Sequence, residues 1–298
     1  MLGRNATLIL LLAFLVLASC VSVGSKDQFV SNAPAVSGEL QSCEPGSGMK
    51  SQAKSFQKQS AQGLDPDNIA FLNWNIYKGN GENWQKDLSA FAKNHHVMTL
   101  QEAMSDEEMD LLLEAHGFNW IMNTAFYLNG YAAGVMNVAS ANSIHSCGFK
   151  FDEPLIRIPK SSLVSYYAID GSDERLLVAN IHGINFTFGV DSYREQLDKL
   201  YEAVKHHDGP MIVAGDFNTW SDSRMDVVDQ LVKRLELSRL EYAVNNKTHI
   251  FGNAIDHVFY RKLEPLSHHV QQVSSSDHNP ISVSFKVQPS VLYRTAHR

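Results

Sequence analysis

Apolar runs of strand length recur along the chain after residue 65, and four of them end in a polar residue. These four runs cover residues 69–75, 97–102, 176–182 and 211–216. Short apolar runs of this kind are typical of buried β-strands. Two later runs, near residues 256–260 and 281–285, instead carry acidic residues at or just before their start. If the late strands run antiparallel to the early ones, all of these polar groups meet at one rim of a sheet.

Helical periodicity separates several of the predicted strands. We predict helices that begin at Asn83, Ser105 and Ser192, and a fourth over residues 225–237. Ser105 and Ser192 are each followed three positions later by Glu, which is the pattern of a capping box. Residues 118–175 instead show short strands and turns. The strands there are predicted at 120–122, 133–138 and 162–169. This order of elements predicts an α/β fold, a layered α/β sandwich with mixed central sheets and helices outside.

The first 20 residues have the pattern of a targeting segment. Arg4 precedes an apolar stretch at residues 8–17, which is too short to cross a bilayer comfortably as a helix. Leu17-Ala18-Ser19-Cys20 then resembles the lipobox of bacterial lipoproteins, in which the cysteine is lipidated and becomes the first mature residue. Val21 follows Cys20, as in lipoproteins sorted to the outer membrane. An ordinary secretory signal is the alternative, and both place the protein in the cell envelope or beyond it.

Residues 21–65 are rich in Ser, Gln, Gly and Pro and contain few large apolar residues, so we expect a flexible tether there. The domain is predicted over residues 66–290, with a tail at 291–298. Cys43 lies in the expected tether and Cys147 in the domain. In an oxidising compartment the two can pair, and two free thiols are the equal alternative.

Composition and charge narrow the function. The chain has 44% hydrophobic and 19% charged residues, which is typical of a globular protein. Its formal net charge of −7 argues against broad, sequence-independent coating of DNA, which requires many Lys and Arg contacts to phosphate. A small phosphate site remains compatible with this charge. We expect a monomer, joined to the membrane only through lipidated Cys20.

The polar groups of the predicted rim suit metal-assisted attack of water on a phosphoester. Glu102, supported by Asn75 and by a second carboxylate, assigned to Asp277, forms an all-oxygen site for Mg²⁺ or Mn²⁺. His278 is a base that Asp256 can orient through the other ring nitrogen. The remaining candidates are His182, Asp216 and Asn218, of which His182 and Asn218 can donate hydrogen bonds to a phosphoryl oxygen.

Six short motifs occur in the order found in one enzyme superfamily. They are Trp-Asn-Ile at 74, Gln-Glu at 101, Asn-Ile-His at 180, Gly-Asp-Phe-Asn at 215, Ile-Asp-His-Val-Phe at 255 and Ser-Asp-His-Asn-Pro at 276. Together they resemble the endonuclease/exonuclease/phosphatase superfamily, which includes DNase I, and within it the bacterial YafD-like branch. The similarity extends from about residue 69 to residue 287, and it implies a DNase I-like fold.

The resemblance also implies roles for the candidate residues. It makes Glu102 the main metal ligand, makes Asp277 with His278 an acid/base pair, and makes His182 a transition-state stabiliser. Asp216 and Asn218 would position or activate the attacking water, and either Asp216 or His278 would take its proton. Apart from the resemblance, Arg157 and Lys160 could contact substrate phosphate, but a solvated loop face is the favoured expectation for both. Arg224 is expected as a surface charge or a substrate contact.

We therefore expect a metal-dependent phosphodiester hydrolase with nucleic acid as the default substrate. A phospholipid or sphingomyelin phosphodiesterase and an inositol phosphate phosphatase are alternatives within the same chemistry. For lipid contact, residues 126–128 are a weak candidate loop. An alternative of another class is a non-catalytic surface module that binds phosphate or a partner.

Overall fold

The computed structural model describes residues 21–24, 28–32, 38–39, 43 and 63–289. The predicted signal segment at residues 1–20, with Cys20, and the predicted tail at 291–298 lie outside the described residues. Within the described residues, no helix is long and apolar enough to cross a bilayer.

The larger of two main sheets has nine strands within the described residues. Its order is β16-β17-β4-β5-β7-β6-β2-β3, and β1 also pairs with β6. The strands are β1 (Val21–Ser22), β2 (Gln28–Ser31), β3 (Gly38–Glu39), β4 (Ile69–Asn75), β5 (Val97–Ser105), β6 (Asn119–Leu128), β7 (Tyr131–Ala139), β16 (Leu263–Val270) and β17 (Ile281–Val287).

In the part of the chain that the structure describes, the smaller main sheet has six strands in the order β12-β15-β11-β10-β9-β8. They are β8 (Ser143–Asp152), β9 (Pro159–Ala168), β10 (Arg175–His182), β11 (Met211–Asp216), β12 (Ser238–Arg239) and β15 (Asp256–Arg261), and a separate hairpin joins β13 (His249–Ile250) to β14 (Asn253–Ala254). The helices are α1 (Trp84–Ala92), α2 (Glu107–Ala115), α3 (Asp191–Val204) and α4 (Asp222–Arg234).

The two main sheets pack face to face, and each carries helices on its outer side. Alternation along β10 shows how: Leu177 packs with side chains of α3 and α4, whereas Val178 packs against the other sheet with Phe71 of β4. On the outer face of the larger sheet, Trp74 packs with residues of α1 and α2. The structure is thus a four-layer α/β sandwich with mixed sheets, and the predicted fold class is confirmed.

The predicted strand directions are confirmed as well. β15 runs antiparallel to β11, and β17 runs antiparallel to β4. β4 pairs parallel with β5, and β10 pairs parallel with β11. The C-terminal ends of the four early strands and the N-terminal ends of the two late ones therefore face the same rim.

Several helix starts differ from the prediction. α2 begins at Glu107 and is capped by Asp106, whose side chain accepts a hydrogen bond from the Met109 amide at 2.9 Å, because Ser105 still belongs to β5. α3 follows Val190 without a side-chain cap, and α4 begins at Asp222, ahead of the predicted residue 225. Residues 126–128, expected as a loop, lie in β6.

The expectation of a structureless tether is wrong for part of residues 21–65. Within that segment, β1 and β2 add to β6, and the side chain of Phe29 is buried. Cys43 forms a disulfide with Cys147, with a Cα–Cα distance of 5.2 Å. Of the two alternatives that the sequence left open, the structure shows the paired form.

Candidate active site

The candidate residues meet at the rim because their side chains lie on the inner faces of the two sheets, the faces that pack against each other. On β11, Ile212 and Ala214 pack between the sheets, and Asp216 is next on the same side. The same alternation holds for Val178 and His182 on β10. The site therefore opens at the end of the apolar interior, where a carboxylate is both shielded from solvent and accessible to a ligand.

Local backbone geometry presents Asp216 and Asn218 to the site. A Cβ on Gly215 would lie 1.9 Å from the carbonyl oxygen of Ile181, so only glycine allows β11 to pair closely with β10 at this point. Asn218 has φ 51°, and its amide donates to Asp216 Oδ1 at 2.9 Å, which closes an Asx turn. The Asn218 side-chain amide donates to the carbonyl of Gly183 at 2.9 Å. Asn218 thereby ties the two loops together.

A bulge in β5 turns Glu102 into the site. The pairing of β5 with β7 shifts register between Leu100 and Ala103, and Glu102 has φ 50°. Bulges of this kind redirect a side chain next to an active site. Lys78 Nζ pairs with Glu102 Oε2, and Lys160 Nζ lies 3.7 Å from Glu102 Oε1. Burial acts to raise the pKa of Glu102, but His182 and the two lysines outweigh it and hold the pKa below its usual value.

Asp216 is the centre of the hydrogen-bonded cluster. Its Oδ2 accepts from the Asn75 side-chain amide at 3.0 Å and lies 3.4 Å from His182 Nε2 and 3.9 Å from His278 Nε2. Burial acts to raise the pKa of Asp216, but His182 and His278 outweigh it and place the pKa well below its usual value. Asp216 is therefore ionised at neutral pH.

His182 differs from His278 in its charge. Lys160 donates from Nζ to His182 Nε2 at 2.9 Å. Burial and Lys160 lower the pKa of His182, with Asp216 opposing them, so the ring is neutral near pH 7. A neutral imidazole suits hydrogen bonding to a phosphoryl oxygen without adding charge.

Asp256 orients His278 as expected. Its Oδ2 lies 2.8 Å from His278 Nδ1. Burial acts to lower the pKa of His278, but Asp256 and Asp216 more than offset it and raise the pKa to about 10. Trp74 Nε1 donates to the His278 carbonyl at 3.0 Å and fixes the backbone. His278 therefore carries a proton at neutral pH and can donate it from Nε2.

Asp277 lies at the mouth of the site and does not join the buried cluster. Its side chain is 58% exposed, and its Oδ1 is 4.0 Å from His278 Nε2. All other candidate residues within the described part of the chain are drawn together around Asp216. Asp277 can thus reach a ligand only from the solvent side.

The donor groups fit a divalent metal ion. His182 Nε2 lies 3.9 Å from Glu102 Oε1 and 3.4 Å from Asp216 Oδ2, so both carboxylates border the same edge of the imidazole ring. Carboxylate and carboxamide oxygens are the ligands that Mg²⁺ and Mn²⁺ prefer. Asp216, Asp256 and His278 also lie close enough to share an ion. Within the described residues, Asp256 Oδ1 is buried without a hydrogen-bond partner, so this group remains a candidate metal site.

Sequence reasoning underestimated Lys160 and gave Lys78 no role. Lys160 is the second residue of β9. Because β9 pairs with β10, the Lys160 side chain reaches His182, and the expectation of a solvated loop is wrong.

The sequence analysis also did not predict a buried polar layer beneath the site. Asn73 Oδ1 accepts from Thr99 and from Gln101, and Gln101 donates to Asn180 at 2.8 Å, which links the two sheets.

Fold and site define a known family, and the chain belongs to the endonuclease/exonuclease/phosphatase family, whose model matches residues 72–278. It is similar to a UPF0294 protein of Vibrio campbellii, at 38% identity over 247 residues that cover 81% of this chain and 86% of that one. The resemblance inferred from the six motifs is confirmed.

Solved structures share the fold at low sequence identity. The catalytic domain of human Nocturnin is 16% identical with a TM-score of 0.58, covering 77% of this chain and 97% of that one. A mannosyl-6-phosphatase of Bacteroides thetaiotaomicron is 17% identical with a TM-score of 0.57, covering 73% of this chain and 99% of that one. Family membership supports a phosphoester hydrolase in general.

Proposed function

We propose that this protein is a divalent-metal-dependent phosphoester hydrolase in which water attacks phosphorus. The observation that carries the proposal is that carboxylates alternate with cationic groups and a neutral imidazole in one cleft. Glu102 lies between Lys78 and Lys160, and Asp216 lies between His182 and His278. Such an arrangement can hold a phosphate, orient a water molecule and supply a proton at the same place.

Each group has a distinct part in the reaction. Glu102 with Asn75, and Asp277 from the solvent side, would hold Mg²⁺ or Mn²⁺, which supplies charge neutralisation to the phosphate when bound. Lys78 and Lys160 attract the phosphoester into the cleft. His182, which is neutral, would donate a hydrogen bond to a phosphoryl oxygen as charge shifts onto it, once Lys160 turns from its Nε2 to the phosphate. Asp216, held by the backbone of Asn218, orients the attacking water.

Proton transfer to the leaving group is carried out by His278, which Asp256 holds on the other side of Asp216. His278 is charged at neutral pH because Asp256 and Asp216 stabilise its proton. It can give that proton to the leaving oxygen from Nε2, while Asp256 keeps the ring in place through Nδ1. Because His278 is already protonated, Asp216 is the group that accepts the proton of the water, which is one of the two alternatives that the sequence left open.

Hydrolysis by matched variants tests the proposal. Wild type, Glu102→Gln and His278→Gln are assayed with Mg²⁺, with Mn²⁺ or with EDTA against plasmid DNA, RNA, phospholipid vesicles and an inositol polyphosphate. We expect metal-dependent hydrolysis of one class, reduced by about 10²-fold or more in both variants. Glu107→Gln and His206→Gln, which change exposed side chains of the same types, are the controls and should retain activity.

One result would overturn the proposal in favour of the non-catalytic alternative. It is a folded wild-type protein that binds phosphate but hydrolyses none of the four substrates with either metal. Nucleic acid remains the substrate class expected from the sequence. A phospholipid is the second candidate, favoured by exposed apolar side chains around the site.

A further inference from the structure

A cavity of about 170 Å³ opens next to Glu102, with one charged end and apolar walls. Its charged end is formed by Lys78, Glu102, Lys160 and His182. The walls include Phe126, Ala133, Ile156 and Ile158. The hydroxyl of Ser161, which also lines the cavity, is engaged by the carbonyl of Asn123 at 2.9 Å. This chemistry matches a ligand whose phosphate is joined to an apolar group, and it offers little to the polar edge of a nucleobase.

Large apolar side chains stand exposed in the loops around the mouth of the site. Leu155 and Ile156 lie in the β8–β9 turn, and Phe186 and Phe188 follow β10. Phe251 is at the tip of the β13–β14 hairpin, just before β15. Phe188 is 87% exposed and Phe251 is 86% exposed. Clustered exposure of this kind marks a binding surface for a partner or a membrane.

The three loops are held to one another, so their apolar side chains form one surface. The buried carboxylate of Glu153 accepts from the backbone amides of Asn185 at 2.7 Å and Phe186 at 2.8 Å. Asn185 Oδ1 accepts from Trp220 Nε1 at 2.8 Å, and the Trp220 ring packs against Phe251 with centroids 6.3 Å apart. We call residues 155, 156, 186, 188 and 251 the apolar rim.

The described chain begins at the same end of the molecule as the apolar rim. Ser105, at the end of β5 just past Glu102, pairs with Ala132, so the β6–β7 hairpin lies at the catalytic end of the larger sheet. Val21 pairs with Leu128 at that hairpin. Val21, the residue that follows the predicted lipidation site Cys20, therefore lies at this end. A lipid on Cys20 would attach the protein by its catalytic face.

We propose that the apolar rim lies against a phospholipid bilayer and that the substrate is a phospholipid of that bilayer. In this arrangement the phosphate of the lipid binds beside Glu102, and the apolar part of the lipid enters the cavity. Exposed Arg157, in the same turn as Leu155, faces the headgroups and suits an anionic surface despite the net charge of −7. The proposal rests on the proposed function, because it names the substrate of that same site.

Vesicle binding tests the surface. The protein used is the chain from residue 20 onward, which contains every described residue, with Cys20→Ser to remove the acylation site. It is mixed with vesicles of phosphatidylethanolamine and phosphatidylglycerol. We expect co-sedimentation, weakened about tenfold or more by Phe188→Ser with Phe251→Ser. Leu111→Ser with Leu266→Ser is the matched control, since both leucines are exposed on α2 and β16. Equal binding by the rim and control variants would overturn the proposal.

Hydrolysis assays distinguish the proposed lipid substrate from the proposed hydrolase activity. Vesicle phospholipid is compared with its deacylated glycerophosphodiester and with plasmid DNA, each with Mg²⁺. We expect the acylated substrate to react about tenfold faster or more, and Ile156→Asp to reduce that ratio. Metal-dependent cleavage of DNA or of the deacylated compound, with vesicle lipid untouched, would overturn this inference and leave the proposed function standing. No hydrolysis of any of them would instead count against the proposed function, whatever the vesicle binding shows.

Discussion

Replacing Arg224 tests how the fold holds the loops that carry the site. Its guanidinium is fully buried in α4 and donates to the carbonyls of Ile184 at 2.7 Å, Asn185 at 2.9 Å and Asn218 at 3.1 Å. It also donates to Thr187 Oγ1 at 2.8 Å. The expectation of a surface charge or a substrate contact is therefore wrong. Arg224 joins the loop after β10 to the loop after β11.

The cost of removing this side chain follows from its partners. Hydrogen bonds that involve a charged group contribute about 1.5–3 kcal/mol each and are not additive. Arg224 also packs between the rings of Tyr193 and Trp220, 4.5 and 4.6 Å from their centroids. Arg224→Met keeps much of the apolar volume but leaves buried carbonyls without donors. We expect the free energy of unfolding to fall by about 3–5 kcal/mol.

Two further variants make the test specific. Arg224→Lys keeps the charge, but one ammonium group cannot reach the four acceptors, so we expect it to recover only part of the loss. Arg234→Met is the matched control from the same helix, because Arg234 also stacks on a ring, that of Tyr201, yet is exposed. Its cost should stay below about 1 kcal/mol. Denaturant unfolding followed by fluorescence measures all three, and equal costs for Arg224→Met and Arg234→Met would refute the reasoning.

The other predictions concern the buried pair of His278 with Asp256 and the Cys43–Cys147 disulfide. The pKa of His278 is raised to about 10 from 6.5, so its proton stabilises the fold fully below about pH 6.5 and this stabilisation is lost as the pH rises through 10. The difference in unfolding free energy between wild type and Asp256→Asn with His278→Gln should shrink between pH 7 and pH 10; a constant difference would contradict the pairing. The Cys43–Cys147 disulfide spans 104 residues in sequence, so Cys147→Ser should cost about 2–5 kcal/mol, as should Cys43→Ser. A non-reduced digest without a linked peptide would contradict the bond.

The rim could be predicted from the sequence because a polar residue directly at the end of an apolar run marks the end of a buried strand. Asp216 follows an unbroken apolar run and ends β11, whereas Asn218 is brought beside it by the Asx turn and not by strand alternation. The antiparallel direction of β15 and β17 followed from the position of their acidic residues alone. These inferences need only the periodicity of a strand and the rule that polar groups avoid the interior between two sheets.

Other residues could not be placed because their position depends on distant pairing. Lys160 reaches His182 only since β9 pairs with β10, and no local pattern distinguishes such a lysine from one on a solvated turn. The Arg224 guanidinium is held by the carbonyls of Ile184 and Asn185, which are far away in sequence. Gln28–Ser31 joins β6 as an added strand, although the composition of residues 21–65 alone predicts a tether.

Under the proposed function, the charges of the described site favour binding of a metal ion together with a phosphoester substrate. Glu102, Asp216 and Asp256 are balanced by Lys78, Lys160 and His278, three carboxylates against three cations. A phosphodiester brings one further negative charge, and more develops on its oxygens as water attacks. Because the cations are already paired with carboxylates, they cannot neutralise that charge without leaving Glu102 or Asp216 unpaired. A divalent ion at Glu102 would replace Lys78 as its partner and free the lysine for the phosphate.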